Sequence, residues 1–336
     1  MLKCSHSQRE ILMIVITGGA GFIGSVLVWK LNTLGEKDIL VVDQHAQGSA
    51  KWNNLKKRAY SRVLESDAFL AGLERGEFNG KIRTVFHMGA CSDTTEKDAA
   101  YLRKNNTDYT RILAEWCLKE KAYFCYASSA AAYGDGSLGF SDSDTLTPKL
   151  KPLNPYGQSK LDFDAWVLKK GLQNEVTGFR FFNVYGPNEY HKGHMRSLVN
   201  KGFEQIRFAG KLRLFKSYKK EYPDGGQKRD FLYVKDAVDT MLWFYEHPDA
   251  KGIHNLGRGK AETWNDLAQA LFKACAKPVN IEYIAMPENI KNQYQYFTEA
   301  DLTKLKKTGC PTSFRDLEEG VKDYVQNHLA QADPWL

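Results

Sequence analysis

The chain has 336 residues, 43% hydrophobic, 26% charged and 12% aromatic, an ordinary globular make-up with room for one large domain or two modest ones. No apolar run approaches the roughly 18 residues of a membrane span, and residues 1–10 (MLKCSHSQRE) lack the apolar stretch of a signal peptide, so they read as a polar extension. The formal charge is +7, and six cysteines without a C-x-x-C pair point to reduced thiols in the cytoplasm rather than disulfides or a zinc site.

The first half alternates short apolar runs with helical stretches. The runs 11–16, 39–42, 84–87, 123–127 and 177–182 are rich in β-branched and aromatic residues without strict alternation, which predicts strands buried on both faces and hence a parallel sheet. Helices are expected over 22–34, 98–119 and 157–171, the βαβ rhythm of a doubly wound α/β fold. Beyond about residue 183, loops rich in Gly, Pro, Lys and Tyr take over. Residues 229–247 read as one more strand-to-helix passage, followed by 253–259 and a helix-like 262–275. The expected layout is a Rossmann domain over 11–182 plus about 229–255. A smaller, interleaved C-terminal α/β substrate domain would take about 183–228 plus 256–330. Much of the basic excess lies between Arg207 and Arg229, with Lys211, Arg213, Lys216, Lys219, Lys220 and Lys228. A solvated face and a phosphate-bearing ligand both explain it; without RNA-binding aromatics, nucleic acid is not expected.

ITGGAGFIGS (16–25) joins the first strand to an apolar helix. Gly18, Gly21 and Gly24 satisfy G-x-x-G-x-x-G, and glycines there let backbone N–H groups approach a pyrophosphate at the helix end. Asp43 ends the second strand, where an acid binds the adenosine ribose of NAD, yet Lys51, Lys56 and Lys57 follow closely, so NAD and NADP stay open.

NPYGQSK (154–160) supplies the second motif. Of 17 tyrosines only Tyr156 has a lysine four residues on. Asn154 can cap and Pro155 suits the first helical position, so Tyr156 and Lys160 stack on one helix face. A phenol is a poor base at neutral pH, and bringing it there takes roughly 4 kcal/mol, which a nearby Lys160 ammonium is expected to supply. Ser128 and Ser129 follow the strand 123–127, where a hydroxyl could hydrogen-bond the substrate oxygen. His191 and His194 flank Lys192, but no carboxylate or cysteine completes a metal site, so none is expected. Cys91 reads as a small packed residue.

These stretches, with SSAAAYG, RFFNVYGP, RDFLYVKDA and HNLGRG, resemble the extended short-chain dehydrogenase/reductases over residues 11–259. GACSDTTE (89–96), NVYGPNEYHKGHM (183–195) and QYFTEADL (295–302) extend the likeness nearly end to end to that family's heptose 6-epimerase branch. The resemblance implies a Ser129, Tyr156, Lys160 triad with Lys192 as a second base. It implies cofactor contacts from Phe22, Ile23, Asp43, Gln44, Lys51, Met88, Gly89, Ala90, Cys91, Ser92, Asn105, Lys160, Val184 and Lys192. Asn183, Arg229 and Tyr294 would bind the nucleotide sugar, and His194, Lys201 and Phe215 fall on the same side. His194, Lys201 and the long 215–227 loop depart from the pattern and leave the substrate's identity open. The implied activity is epimerisation at carbon 6 of a nucleoside-diphosphate heptose, a lipopolysaccharide core precursor, through a transient ketone. The implied cofactor is a retained NADP, and the implied assembly is a homo-oligomer such as a pentamer. A 4-epimerase of the same family is the alternative, although it would not need Lys192. A 4,6-dehydratase would need carboxyl groups where Ala130 and Ala131 stand.

Overall fold

The computed structural model describes residues 12–44, 49–291 and 294–336; the extension expected at 1–10 lies outside them. Six strands follow one another through the first half: β1 (Met13–Thr17), β2 (Ile39–Val42), β3 (Arg62–Leu64), β4 (Ile82–His87), β5 (Tyr123–Ser129) and β6 (Thr177–Phe181). The second half adds β7 (Asn183–Tyr185), β8 (Leu212–Phe215), β9 (Lys228–Tyr233), β10 (Gly252–Leu256), β11 (Ala261–Thr263) and β12 (Ile281–Ile284). Seven of them form one sheet in the order β10-β6-β5-β4-β1-β2-β3, with every pairing parallel. The order reverses between β1 and β4, which opens a crevice at the carboxyl ends of those strands, where ligands bind in such sheets.

Burial explains the continuous apolar runs. Ile14 and Ile16 pack on one face with the helices Phe22–Thr33 and Val234–Glu246; Val15 faces the other way, toward Phe69, Leu113 and Phe163. β1 is therefore apolar from Met13 to Ile16 although its side chains alternate. In the first half β3 and the helix Ser66–Glu74 escaped the sequence reading, and in the second so did the helices Leu198–Ala209 and Leu317–Tyr324 and the β8–β12 pair. The passage 229–247 divides between layers. β9 joins a three-stranded sheet, parallel to β7 and antiparallel to β11, whereas the helix after it packs on the large sheet. A third apolar cluster, including Val199, Leu212, Leu271 and Val321, fills the space under β7, β9 and β11 and under the β8–β12 pair.

Four histidines are kept neutral inside the fold. His87 is pushed down from 6.5 to about 3, chiefly by burial with the Lys160 charge adding, and it bonds Thr17 Oγ1 at 2.6 Å and Thr110 Oγ1 at 2.8 Å. Burial likewise takes His191, His254 and His328 to about 4. Unfolded histidine binds a proton near 6.5, so their contribution to stability is complete above that pH and is lost as the pH falls toward 4 and 3. His87 alone then loses about 2 kcal/mol by about pH 5. Urea midpoints should fall steeply between neutrality and that pH; a flat profile would show that these rings are charged in the folded state.

Candidate active site

At the end of β1 the chain turns through Gly18 and Gly21 into the helix Phe22–Thr33. Gly18 has φ +64°, and a Cβ on it would lie 2.7 Å from Gly89 Cα; one on Gly24 would lie 2.2 Å from the Gly18 carbonyl oxygen. Only glycine allows the left-handed turn and this close approach of the loops after β1 and β4. Gly18, Gly21, Phe22, Ile23 and Gly24 line a cavity of about 630 Å³ whose other walls include Met88 to Ser92 and Val184. A crowded glycine turn leading into a helix N-terminus at an open cavity fits a dinucleotide pyrophosphate.

Asp43 and Lys51 line the same cavity and, with Gln44 and Asn105, an adjoining recess of about 290 Å³. Both oxygens of the Asp43 carboxylate are engaged. Oδ2 accepts the Ala20 N–H at 3.0 Å, while Oδ1 accepts the Gln44 N–H at 2.8 Å and the Lys51 ammonium at 2.6 Å. A lysine in contact offsets the charge with which this carboxylate would repel a phosphate.

The helix Pro155–Lys169 begins as its sequence predicts, with the Asn154 side chain accepting the Gly157 N–H at 2.8 Å and Pro155 in the first turn. Tyr156 and Lys160 are buried in the cavity wall beside Ser129. A Cβ on Gly157 would lie 2.7 Å from the Ala131 carbonyl oxygen. That glycine, overlooked in the sequence, lets the helix close onto the turn after β5.

The surroundings of the Tyr156 phenol and the Lys160 ammonium differ. Burial raises the Tyr156 phenol, and the group that opposes this is Ser129, through a side-chain hydrogen bond. The Lys160 ammonium instead donates to the Ala127 carbonyl at 2.8 Å, and burial pushes it down to about 8 against the pull of Asp164. Ser129 Oγ accepts the Ala131 N–H at 3.1 Å, so its own hydrogen is available to the phenol or to a ligand. Asn106, next to the expected Asn105, is a second residue the sequence reading missed. It sits in a π-helical turn, Arg103–Asp108, accepts the Cys91 N–H at 2.9 Å and donates to the Cys91 carbonyl and Ser159 Oγ, both at 3.0 Å. The carboxamide thereby fastens the loop after β4 to the tyrosine helix.

Lys192 comes from the segment after β7 and lines the 630 Å³ cavity and a second one of about 730 Å³; Asn183, Val184 and Met195 are also common to both. Its ammonium lies 5.6 Å from the Phe22 ring centroid, and burial lowers its proton affinity with Glu189 opposing. Lys201, Phe215 and Tyr294 line the larger cavity, as do Lys211 and Arg213 of the basic cluster and Arg196 and Trp264, which the sequence had not assigned to a site. Arg229 lies behind this wall, its guanidinium 5.0 Å from the Tyr294 ring centroid and 5.7 Å from that of Trp264. Every other residue expected at the site lines one of the three cavities. His194 Nε2 is 3.9 Å from Asp93 Oδ1, and His191 Nδ1 is 3.3 Å from the Asn54 carboxamide nitrogen.

Residues 14–257 match the model of the NAD dependent epimerase/dehydratase family. The chain is 52% identical to an ADP-L-glycero-D-manno-heptose-6-epimerase of Nitratidesulfovibrio vulgaris over 96% of its own length and 100% of that protein. A Fusobacterium nucleatum protein of the same name is 47% identical, again over 96% and 100% of the two chains. Among solved structures, the Helicobacter pylori ADP-L-glycero-D-manno-heptose-6-epimerase superposes with a TM-score of 0.76 at 27% identity, covering 95% of this chain and 96% of that one.

Proposed function

The chain belongs to the NAD dependent epimerase/dehydratase family, and we propose that it interconverts the D-glycero and L-glycero forms of ADP-manno-heptose at carbon 6. The observation that carries this reading is that Tyr156 and Lys192, from different elements, line one cavity together with the dinucleotide cradle. Inversion at a carbinol carbon through a planar ketone can use a separate proton-transfer group on each face, and these two side chains can fill that role. When bound, the nicotinamide supplies the hydride acceptor and donor. Ser129 donates a hydrogen bond to the reacting oxygen, Tyr156 takes or returns its proton on one face, and Lys192 does so on the other. Lys160 anchors the tyrosine helix to β5 through Ala127. Ala130 and Ala131 cannot move protons, which argues against dehydration. In the 730 Å³ cavity, Arg196, Lys201, Lys211 and Arg213 offer cations for a diphosphate, and Trp264 and Tyr294 offer aromatic faces.

For the cofactor we favour NADP, because Lys51 already neutralises Asp43 and brings a cation to the adenosine end. Cytoplasmic location and self-association into a homo-oligomer complete the reading; no described helix is long and apolar enough to cross a membrane. The test is to denature freshly purified protein, identify the dinucleotide released, and incubate an intact sample with pure ADP-D-glycero-D-manno-heptose in deuterated water. We expect NADP, conversion to the L-glycero epimer, and no solvent deuterium at carbon 6. Bound dinucleotide with an unchanged heptose would refute the substrate assignment, and absence of any dinucleotide would refute the enzymatic reading.

A further inference from the structure

Lys192 sits in a segment that leaves β7 at Tyr185 and regains regular structure in the helix Leu198–Ala209. Between them lies only a 3-10 turn, Tyr190–Met195, broken at Gly193 with φ +54°. Such a segment does not by itself fix a lysine in space. One buried side chain ties its two ends. Glu189, 1% exposed, accepts the Ser197 N–H at 2.5 Å and the Ser197 hydroxyl at 2.6 Å, and reaches back to the Gly186 N–H at 3.3 Å. Its main-chain carbonyl accepts the Lys192 N–H at 3.0 Å.

We propose that Glu189 is a positioning residue for Lys192: its carboxylate draws together the ends of the 186–197 segment and places a buried anion in the wall of the same 730 Å³ cavity that Lys192 lines. The Ser197 N–H and hydroxyl and the Gly186 N–H are all donors to the carboxylate, with the Tyr324 hydroxyl also bonded to it, which is the pattern an ionised acceptor requires. Burial of an anion is costly unless charge and hydrogen bonds offset it, and here both do. Burial raises the carboxyl of Glu189, while Ser197, Gly186 and Lys192 oppose that rise. The titratable groups around it are Lys192, Lys201, Tyr190 and Tyr324; His191 in turn feels Lys192, and Arg196 faces Lys201. Lys192 and Lys201 both retain protons more firmly because of Glu189. A carboxamide could not replace it, since it has one acceptor oxygen and would turn an N–H₂ toward a donor.

The inference rests on the role of Lys192 proposed above, and its test is separable from that role. Trace labelling with acetic anhydride across a pH series, read by peptide mass spectrometry, gives the midpoint at which Lys192 becomes reactive. In Glu189→Gln the midpoint should fall by about one pH unit, and kcat for epimerisation should drop about tenfold with KM nearly unchanged. A midpoint equal to that of the natural protein overturns the proposal whatever the activity does. Full epimerisation by a Lys192→Met variant would instead defeat the functional reading and leave the labelling result standing on its own. If Glu189→Gln does not fold, Ser197→Ala keeps the anion and loosens the tie. Its Lys192 midpoint should stay put while kcat falls several-fold, and an unchanged kcat overturns the proposal.

Discussion

Tyr156→Phe should lower kcat for heptose epimerisation by about 10²- to 10⁴-fold while the protein stays folded and keeps its dinucleotide. The side chain is 9% exposed, so the phenylalanine ring refills nearly all of its volume. What is removed is one oxygen that hydrogen-bonds Ser129 and faces the cavity. Lys160 keeps its bond to the Ala127 carbonyl, since that contact does not involve the phenol. Loss of a proton-transfer group with little loss of packing predicts a fall in kcat and little change in KM or in thermal midpoint. Steady-state kinetics with calorimetry on the same preparation separates these quantities. Activity within tenfold of the natural protein would remove Tyr156 from the chemistry.

Legibility in the sequence followed physical scale. Features set within a few consecutive residues were readable. The glycine turn, the Asn154–Pro155 helix start and the largely apolar β1, β2 and β5 are fixed by local sterics and by burial on both faces. What was not readable depends on partners far along the chain. β9 is as thoroughly buried as the central strands, so RDFLY looks alike in either sheet, and only its pairing with β7 and β11 tells them apart. β3 is three residues long, too short to show a period. Asn106 looked like a polar residue in a helix until its carboxamide met Cys91 and Ser159. Glu189 is an exception: its partners Gly186 and Ser197 lie only 3 and 8 residues away, but no regular element joins them and so no spacing rule singles it out. The i, i+4 spacing places Lys160 on the face of Tyr156 but cannot show that the Ala127 carbonyl engages its ammonium.

Lys192→Met should also lower epimerisation by about 10²- to 10⁴-fold, by a different route. Methionine keeps an apolar stem against the Phe22 ring and cannot carry a proton. No enzyme variant alters the overall equilibrium, so the forward and reverse values of kcat/KM must fall by the same factor. Direction of reaction therefore cannot reveal which group serves which face, whereas separated half-reactions can. If Tyr156 and Lys192 act on opposite faces, each pure epimer presents its hydroxyl to only one of them. With one epimer, Lys192→Met should still develop reduced-nicotinamide absorbance and Tyr156→Phe should not; with the other epimer the pattern should reverse. The same epimer producing the signal in both variants would mean that the two groups share a face, and a two-base inversion would be wrong. An absorbance change with neither epimer in Lys192→Met would point to a lysine that orients the sugar rather than moves its proton. A KM raised in step with the loss of rate would mark that outcome.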